Sequence, residues 1–419
     1  MQLHDMNIDA FQARLASGEA KPLDWWQACR ERIEARESEV QAWEFLSPEV
    51  GHAPAEGALR GVPVGVKDII DTCDMPTAWG TGGYMTSDGS LVDAAVVTLL
   101  QQQGALVLGK TVSTEFAYFT PGKTRNPHDT SRTPGGSSSG SAAAVADGMV
   151  PLALGTQTAG SIIRPASYCG IYGYKPTFDT VSTAGIKPFA PSLDTLGWFA
   201  RHIEDICTTF STLTRAPAIE ALPDLTGIRV GVCSLPGNEA LNADVTQALR
   251  QAQERFEKVG ASVVVLPFDA RFDDLVEHQK VVMAYEASQS LASEYQHHAQ
   301  QMGPKLVELI QQGLALSYAR YREAQRATTE LRQLLSRRFD VDVDVILAAS
   351  AQGVAPIGLG ATGDPLFCRA WTLLGVPCLN LPISQGEQGL PVGVQLIGDR
   401  YDDDRLLSIA RTLMRAQTG

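Results

Sequence analysis

The sequence predicts an α/β layered fold around a central, substantially parallel or mixed β-sheet. Three observations carry that expectation. Helix-period and strand-period segments alternate along most of the 419 residues. A hydrophobic share of 44% beside 19% charged residues is that of an ordinary globular chain. No internal repeat or long low-complexity linker interrupts the alternation.

Taken in order, residues 1–46 read as helical. Leu23, Trp26, Cys29, Ile33 and Arg36 recur at spacings of three and four, with Asp24 placed as a cap or first-turn acid. ALRGVPVGVKDII (58–70) then puts Val62, Val64 and Val66 at strand period. Residues 91–111 read as a helix followed by a strand. Behind the small-residue stretch PGGSSSGS (134–141) come a helix-like SAAAVADGM and a strand-like VPLALGT (150–156). Strand, helix and strand follow at 227–235, 241–259 and 261–267. Residues 273–338 are polar and helical, with aromatics at Tyr285, Tyr295, Tyr318 and Tyr321. DVILAAS (344–350), PCLNLPI (377–383) and VGVQLIG (392–398) read as strands, and 402–416 as a last helix. The composition change at 215–226 marks a candidate subdomain seam.

Composition narrows the function classes. A net charge of −13 disfavours a nucleic-acid groove, which needs a cationic footprint, and is the mark of a well-solvated surface. Seven scattered cysteines without a CxxC predict reduced core thiols and a cytoplasmic protein. The seven histidines form no HExxH; His297-His298 is their one cluster, so no metal site is expected. The N-terminal stretch carries early acids and no apolar run, so no secretory signal is expected. No apolar run reaches the roughly 18 residues that a membrane span needs.

GALVLGKT (104–111) matches the phosphate-loop pattern, which keeps nucleotide binding as an alternative of a different class. Its context is wrong, however. The four residues between the glycines read as the buried strand itself, with Lys110 just past the strand end instead of curled over a phosphate.

Three other segments carry chemistry together. GVPVGVKD (61–68) ends an apolar strand on Lys67; PGGSSSGS offers several serines on a permissive backbone; GTQTAGSIIRPAS (155–167) sets Ser161 in a turn of small residues. A serine hydroxyl needs a base, and a lysine serves as one when burial disfavours its charge. Successive amides at Thr158, Ala159, Gly160 and Ser161 suit an oxyanion hole.

These segments, with GALVLGKTVSTEFA and GLPVGVQLIG (389–398), resemble the amidase signature family over most of the chain, more weakly across about 215–345. The resemblance implies one α/β/α domain over 1–419 with a central mixed sheet, 215–345 being a more variable, largely helical insertion. It also implies a small amide substrate, no metal or organic cofactor, and a homodimer. Carried over by position, Ser161 resembles the acyl-enzyme nucleophile, Ser137 the bridging serine and Lys67 the triad lysine. The separation of 24 residues between the two serines agrees with the family's spacing, which implies Ser137 over Ser138 and Ser139. In the family the bridging serine follows a cis peptide bond, expected here after Gly136.

The chain also departs from the family pattern. Gln157 stands for an aspartate, Ala159 for a glycine, and Ile163 occupies the usual arginine position, with Arg164 one residue later. Ala159 is tolerable if its φ is negative. GTQT with S-x-I-R-P resembles the malonamidase-like branch, which implies that Arg164 holds a substrate carboxylate, with Gly136 and Thr158 beside it. Anchoring of the loop to an acid is the other reading of Arg164. Allophanate-type hydrolysis of a urea carboxylate and an amidotransferase-type glutaminase stay open, although length and acidity argue against tRNA contact. Thr362 and Asp364 are polar candidates for the pocket, or for capping the following helix.

Overall fold

The computed structural model describes residues 3–50, 56–234 and 241–416. One sheet of eleven strands organises them: β1 (Trp43–Leu46), β2 (Pro63–Lys67), β3 (Leu106–Thr111), β4 (Leu152–Gln157), β5 (Tyr172–Lys175), β6 (Thr195–Ala200), β7 (Arg229–Ser234), β8 (Ser262–Pro267), β9 (Val345–Ala349), β10 (Cys378–Gln385) and β11 (Pro391–Ile397). Their spatial order is β1-β3-β2-β4-β6-β5-β10-β11-β9-β7-β8. The sheet is mixed: β3, β2 and β4 run parallel, as do β9, β7 and β8, while the neighbours between β4 and β9 pair antiparallel. The α/β fold with a mixed sheet is therefore the one that the alternation predicts.

Every residue of β2, β3, β4, β6, β9 and β11 is buried. Such strands need helices on both faces, and the structure supplies them, with Ser139–Ala146 packed against β2, β3 and β4. The alternating valines of β2 gave the strand period, yet Pro63 and Gly65 between them are buried too.

Four local readings are corrected. Residues 43–46 are not helix but β1, antiparallel to β3. In the helix Asp24–Val40 the buried stripe is Trp25, Cys29, Ile33 and Val40, whereas Leu23 precedes the helix and is exposed. Strands β5 and β6 were not legible: YGYK and TLGWFA are buried at every position, so neither shows alternation. Cys73 is exposed, whereas the other six cysteines are buried. The strand expected over 227–235 is present as β7, Leu235 lying outside the described residues. Residues 273–338 hold four helices: Leu275–Ser290, Ala292–His298, Pro304–Ala315 and Tyr318–Val341. No helix among the described residues is long and apolar enough to cross a membrane.

Candidate active site

The carboxyl ends of the parallel strands β2 and β4 lie at one edge of the sheet, where open α/β sheets form crevices. Lys67 is the last residue of β2. The turn 158–161 follows β4. Ser137 is delivered by the connection from β3 to β4, just ahead of the helix Ser139–Ala146. Gly135 adopts φ +85°, a conformation open to glycine. At Gly136 a Cβ would meet Thr362 Cγ2 at 2.9 Å, so the chain passes too close there for a side chain. The Gly136–Ser137 peptide is cis, at the predicted position.

A cleft results. Ser137, Thr158, Ala159, Gly160, Ser161, Arg164 and Thr362 line it on one side, with Tyr118, Phe119, Phe189 and Met283 as an apolar wall. Tyr118 and Phe189 stack with centroids 5.5 Å apart.

Lys67 is fully buried. Its Nζ lies 2.7 Å from Ser137 Oγ and 2.8 Å from Thr156 Oγ1. Burial holds its pKa well below the ordinary lysine value, opposed by the charge of Asp194. Thr156 is a neighbour that sequence reasoning missed, although it belongs to the same GTQT segment. Ser161, 8% exposed, faces the cleft without a side-chain hydrogen bond to the described residues. The amides of Ala159, Gly160 and Ser161 likewise donate to no described residue. Ala159 keeps a negative φ, as its methyl requires.

Gln157 explains the lost aspartate. Its Oε1 accepts from the amides of Ile162 and Ile163 at 2.9 and 3.1 Å, and its Nε2 donates to Thr372 Oγ1 at 3.0 Å. A neutral amide thus holds the start of the helix Ile163–Cys169, and no cation is needed at Ile163. Thr158 Oγ1 donates to Asp194 Oδ1 at 2.5 Å, and Asp194 Oδ2 accepts from the amides of Phe189 and Ala190. Burial raises the Asp194 carboxyl to about 6.

Arg164 is 2% exposed. Its Nη2 donates to Gly136 O at 2.6 Å and to Thr362 Oγ1 at 3.3 Å. Nε and Nη1 are buried without a protein partner, and no carboxylate among the described residues bonds this guanidinium. Its pKa is lowered by burial. Of the two polar candidates on the following loop, Thr362 lines the cleft. Asp364 does not: it is exposed, and its Oδ1 accepts from the amide of Leu366 two residues on, ahead of a helix whose N-cap position is Pro365.

Lys110 is not past a strand end but inside β3, fully buried. Its Nζ reaches Thr77 Oγ1 at 2.6 Å, Pro76 O at 3.3 Å and Asp68 Oδ1 at 3.7 Å. GALVLGKT therefore forms the buried strand and offers no phosphate cradle. His298 Nδ1 pairs with Gln301 Oε1, far from this chemistry in role.

Comparisons with known proteins show the family and the fold. The sequence profile of the amidase family matches residues 35–407. A glutamyl-tRNA(Gln) amidotransferase subunit from Chloroflexus aggregans is 33% identical over 99% of this chain and 97% of its own. That alignment runs to 476 positions, so the relative carries segments that this 419-residue chain lacks. A solved inhibitor-bound structure, of a vestigial protein complex at the evolutionary origins of an s-triazine catabolic enzyme, superposes with a TM-score of 0.89. Its identity is 27%, covering 98% of this chain and 99% of the other. The native peptide amidase of Stenotrophomonas maltophilia superposes with a TM-score of 0.82, at 27% identity over 99% and 97%.

Proposed function

This chain belongs to the amidase family, whose members act on carbon–nitrogen amide bonds, and we propose that it hydrolyses small carboxylated amides through an acyl-enzyme on Ser161. The observation that carries the reading is the buried Lys67–Ser137 contact at 2.7 Å, opening on the cleft that Ser161 and three undonated amides share. Ser161 Oγ attacks the amide carbonyl while its proton passes through Ser137 to the neutral amine of Lys67. The amides of Ala159, Gly160 and Ser161 take the oxyanion. The proton returns to the leaving nitrogen, which departs as ammonia or an amine, and water then releases the acid by the same relay in reverse.

Arg164 supports a carboxylated substrate. A buried guanidinium with two unused donors on a cleft wall suits a planar carboxylate, and leaving it unpaired is costly. Malonamate and urea carboxylates have this chemistry.

Glutamine hydrolysis is the second reading, favoured by the 33% identity to an amidotransferase component. Glutamine also has a carboxylate for Arg164, but its ammonium needs an acid. None of the described residues lining the cleft is Asp or Glu. The proposal therefore favours an amide with a carboxylate and no ammonium.

Ammonia release from malonamate, propionamide and glutamine tests this, with Ser161→Ala as the blank. Malonamate is expected to turn over fastest. Arg164→Leu should raise KM for malonamate by about 100-fold, the worth of a lost charge-assisted pair, and leave propionamide nearly unchanged. Equal losses on both substrates overturn the role of Arg164, and faster glutamine turnover selects the second reading.

A further inference from the structure

We infer that Gln279 and Thr372 are positioning residues of the oxyanion site, turning the carbonyls of Thr158 and Ala159 into the protein and so aiming the next amides at the cleft. The inference rests on the Ser161 assignment above and deepens it with residues outside every motif of that assignment. In a trans peptide the C=O of one residue and the N–H of the next point in opposite directions. Thr158 O accepts from Gln279 Nε2 at 3.0 Å, Ala159 O from Thr372 Oγ1 at 2.8 Å, and Gly160 O from the amide of Arg164 at 3.1 Å. Three successive carbonyls are thus tied behind the turn. The amides of Ala159, Gly160 and Ser161, which donate to no described residue, point the other way, on the wall of the cleft. Donors aimed beforehand need no reorganisation when negative charge develops on the substrate oxygen.

The orientation of Gln279 is itself fixed. Arg369 Nη1 donates to Gln279 Oε1 at 2.5 Å, and a guanidinium can only donate. The oxygen of the amide must therefore face Arg369, which leaves its NH₂ for Thr158 O. Gln279 is fully buried, so water does not compete for either end. Met283, one helical turn further along Leu275–Ser290, lines the cleft. One helix of the variable region thus supplies both a cleft wall and a clamp on the catalytic turn. Thr372 is held in its place by Gln157 Nε2. Its single proton serves Ala159 O at 2.8 Å or Cys368 O at 3.0 Å.

Gln279→Glu tests the clamp: it keeps the shape and the acceptor for Arg369, but has no donor for Thr158 O. Ammonia release from malonamate should lose about 10- to 100-fold in kcat with KM within about threefold, the signature of a misaimed transition-state donor. The affinity for phenylboronic acid, which forms a tetrahedral adduct on a nucleophilic serine, should fall by the same factor as kcat/KM. Thr372→Val should act in the same direction and Thr372→Ser should restore kcat to within about threefold of the parent. The serine–valine pair decides the matter if Gln279→Glu does not fold. A fall in kcat without a matching loss of boronate affinity overturns the inference, as does a rise in KM alone. Unchanged kcat in Gln279→Glu and Thr372→Val, with Ser161→Ala inactive, overturns it and leaves the nucleophile standing. Activity in Ser161→Ala instead removes the assignment beneath it.

Discussion

Lys67 and Lys110 sit on adjacent parallel strands, one register position apart, and both are wholly buried. Their surroundings differ in kind. Lys110 meets a carboxylate, Asp68, and the carbonyl of Pro76 beside the Thr77 hydroxyl. Among the described residues, Lys67 meets two hydroxyls, those of Ser137 and Thr156. Carboxylates and carbonyls only accept hydrogen bonds and so hold an ammonium charged, whereas a hydroxyl can also donate to a neutral amine. A third buried lysine, Lys175, reaches the carbonyls of Pro176 and Val376 and so falls with Lys110. Burial lowers all three pKa values, and at Lys110 the charge of Asp68 pushes back. Burial alone therefore does not make a lysine a base; the partners decide whether it can give up its proton.

The comparison breaks most readily at Lys67. Lys67→Met should cost about 10⁴-fold or more in kcat, as loss of a relay member does in serine hydrolases. Its thermal midpoint should stay level or rise, because the unfolded chain keeps a proton that the folded chain gives up. That term weakens folding as pH falls below the ordinary lysine value, and Met removes it. Differential scanning calorimetry at pH 7 beside steady-state kinetics checks both halves; a clear drop in the midpoint would contradict the contrast.

Lys110→Met should show the opposite pattern, a loss of about 3–5 kcal/mol in stability from an orphaned buried carboxylate. Burial already raises Asp68 to about 7. The loss should accordingly be larger at pH 9, where that carboxyl ionises, than at pH 6. Urea denaturation at the two pH values reads this directly, and a loss independent of pH would remove Asp68 as its cause.

The smallest effect sharpens the Lys67 side. kcat/KM of the parent should rise about tenfold per pH unit on its acid limb and level off well below the usual lysine value, as the amine becomes neutral. Thr156→Val keeps shape and removes one acceptor of the ammonium. It should lower kcat by about tenfold and move the acid limb to lower pH. An alkaline shift would mean that Thr156 serves the neutral amine instead.

What was legible in the sequence is what is written between near neighbours in the chain. Helix and strand periods predicted an α/β layering, and the GVPVGVKD and GTQTAGS segments placed Lys67 and Ser161 at strand ends; the resemblance to the amidase family, through its spacing to Ser161, pointed to Ser137 and to the cis bond before it. Strands β5 and β6 escaped because YGYK and TLGWFA show neither alternation nor the aliphatic runs that marked the other buried strands. Which lysine lacks a carboxylate was visible only in the folded protein, since Lys67 and Lys110 both read as lysines ending apolar runs. The same holds for the spare donors of Arg164, for the exposure of Asp364 away from the cleft, and for Gln279, which reaches the carbonyl of Thr158 from more than a hundred residues away. Desolvation and hydrogen-bond pairing are properties of what surrounds a group in space. Those neighbours come from distant strands and helices, and only the folded sheet brings them within hydrogen-bond reach.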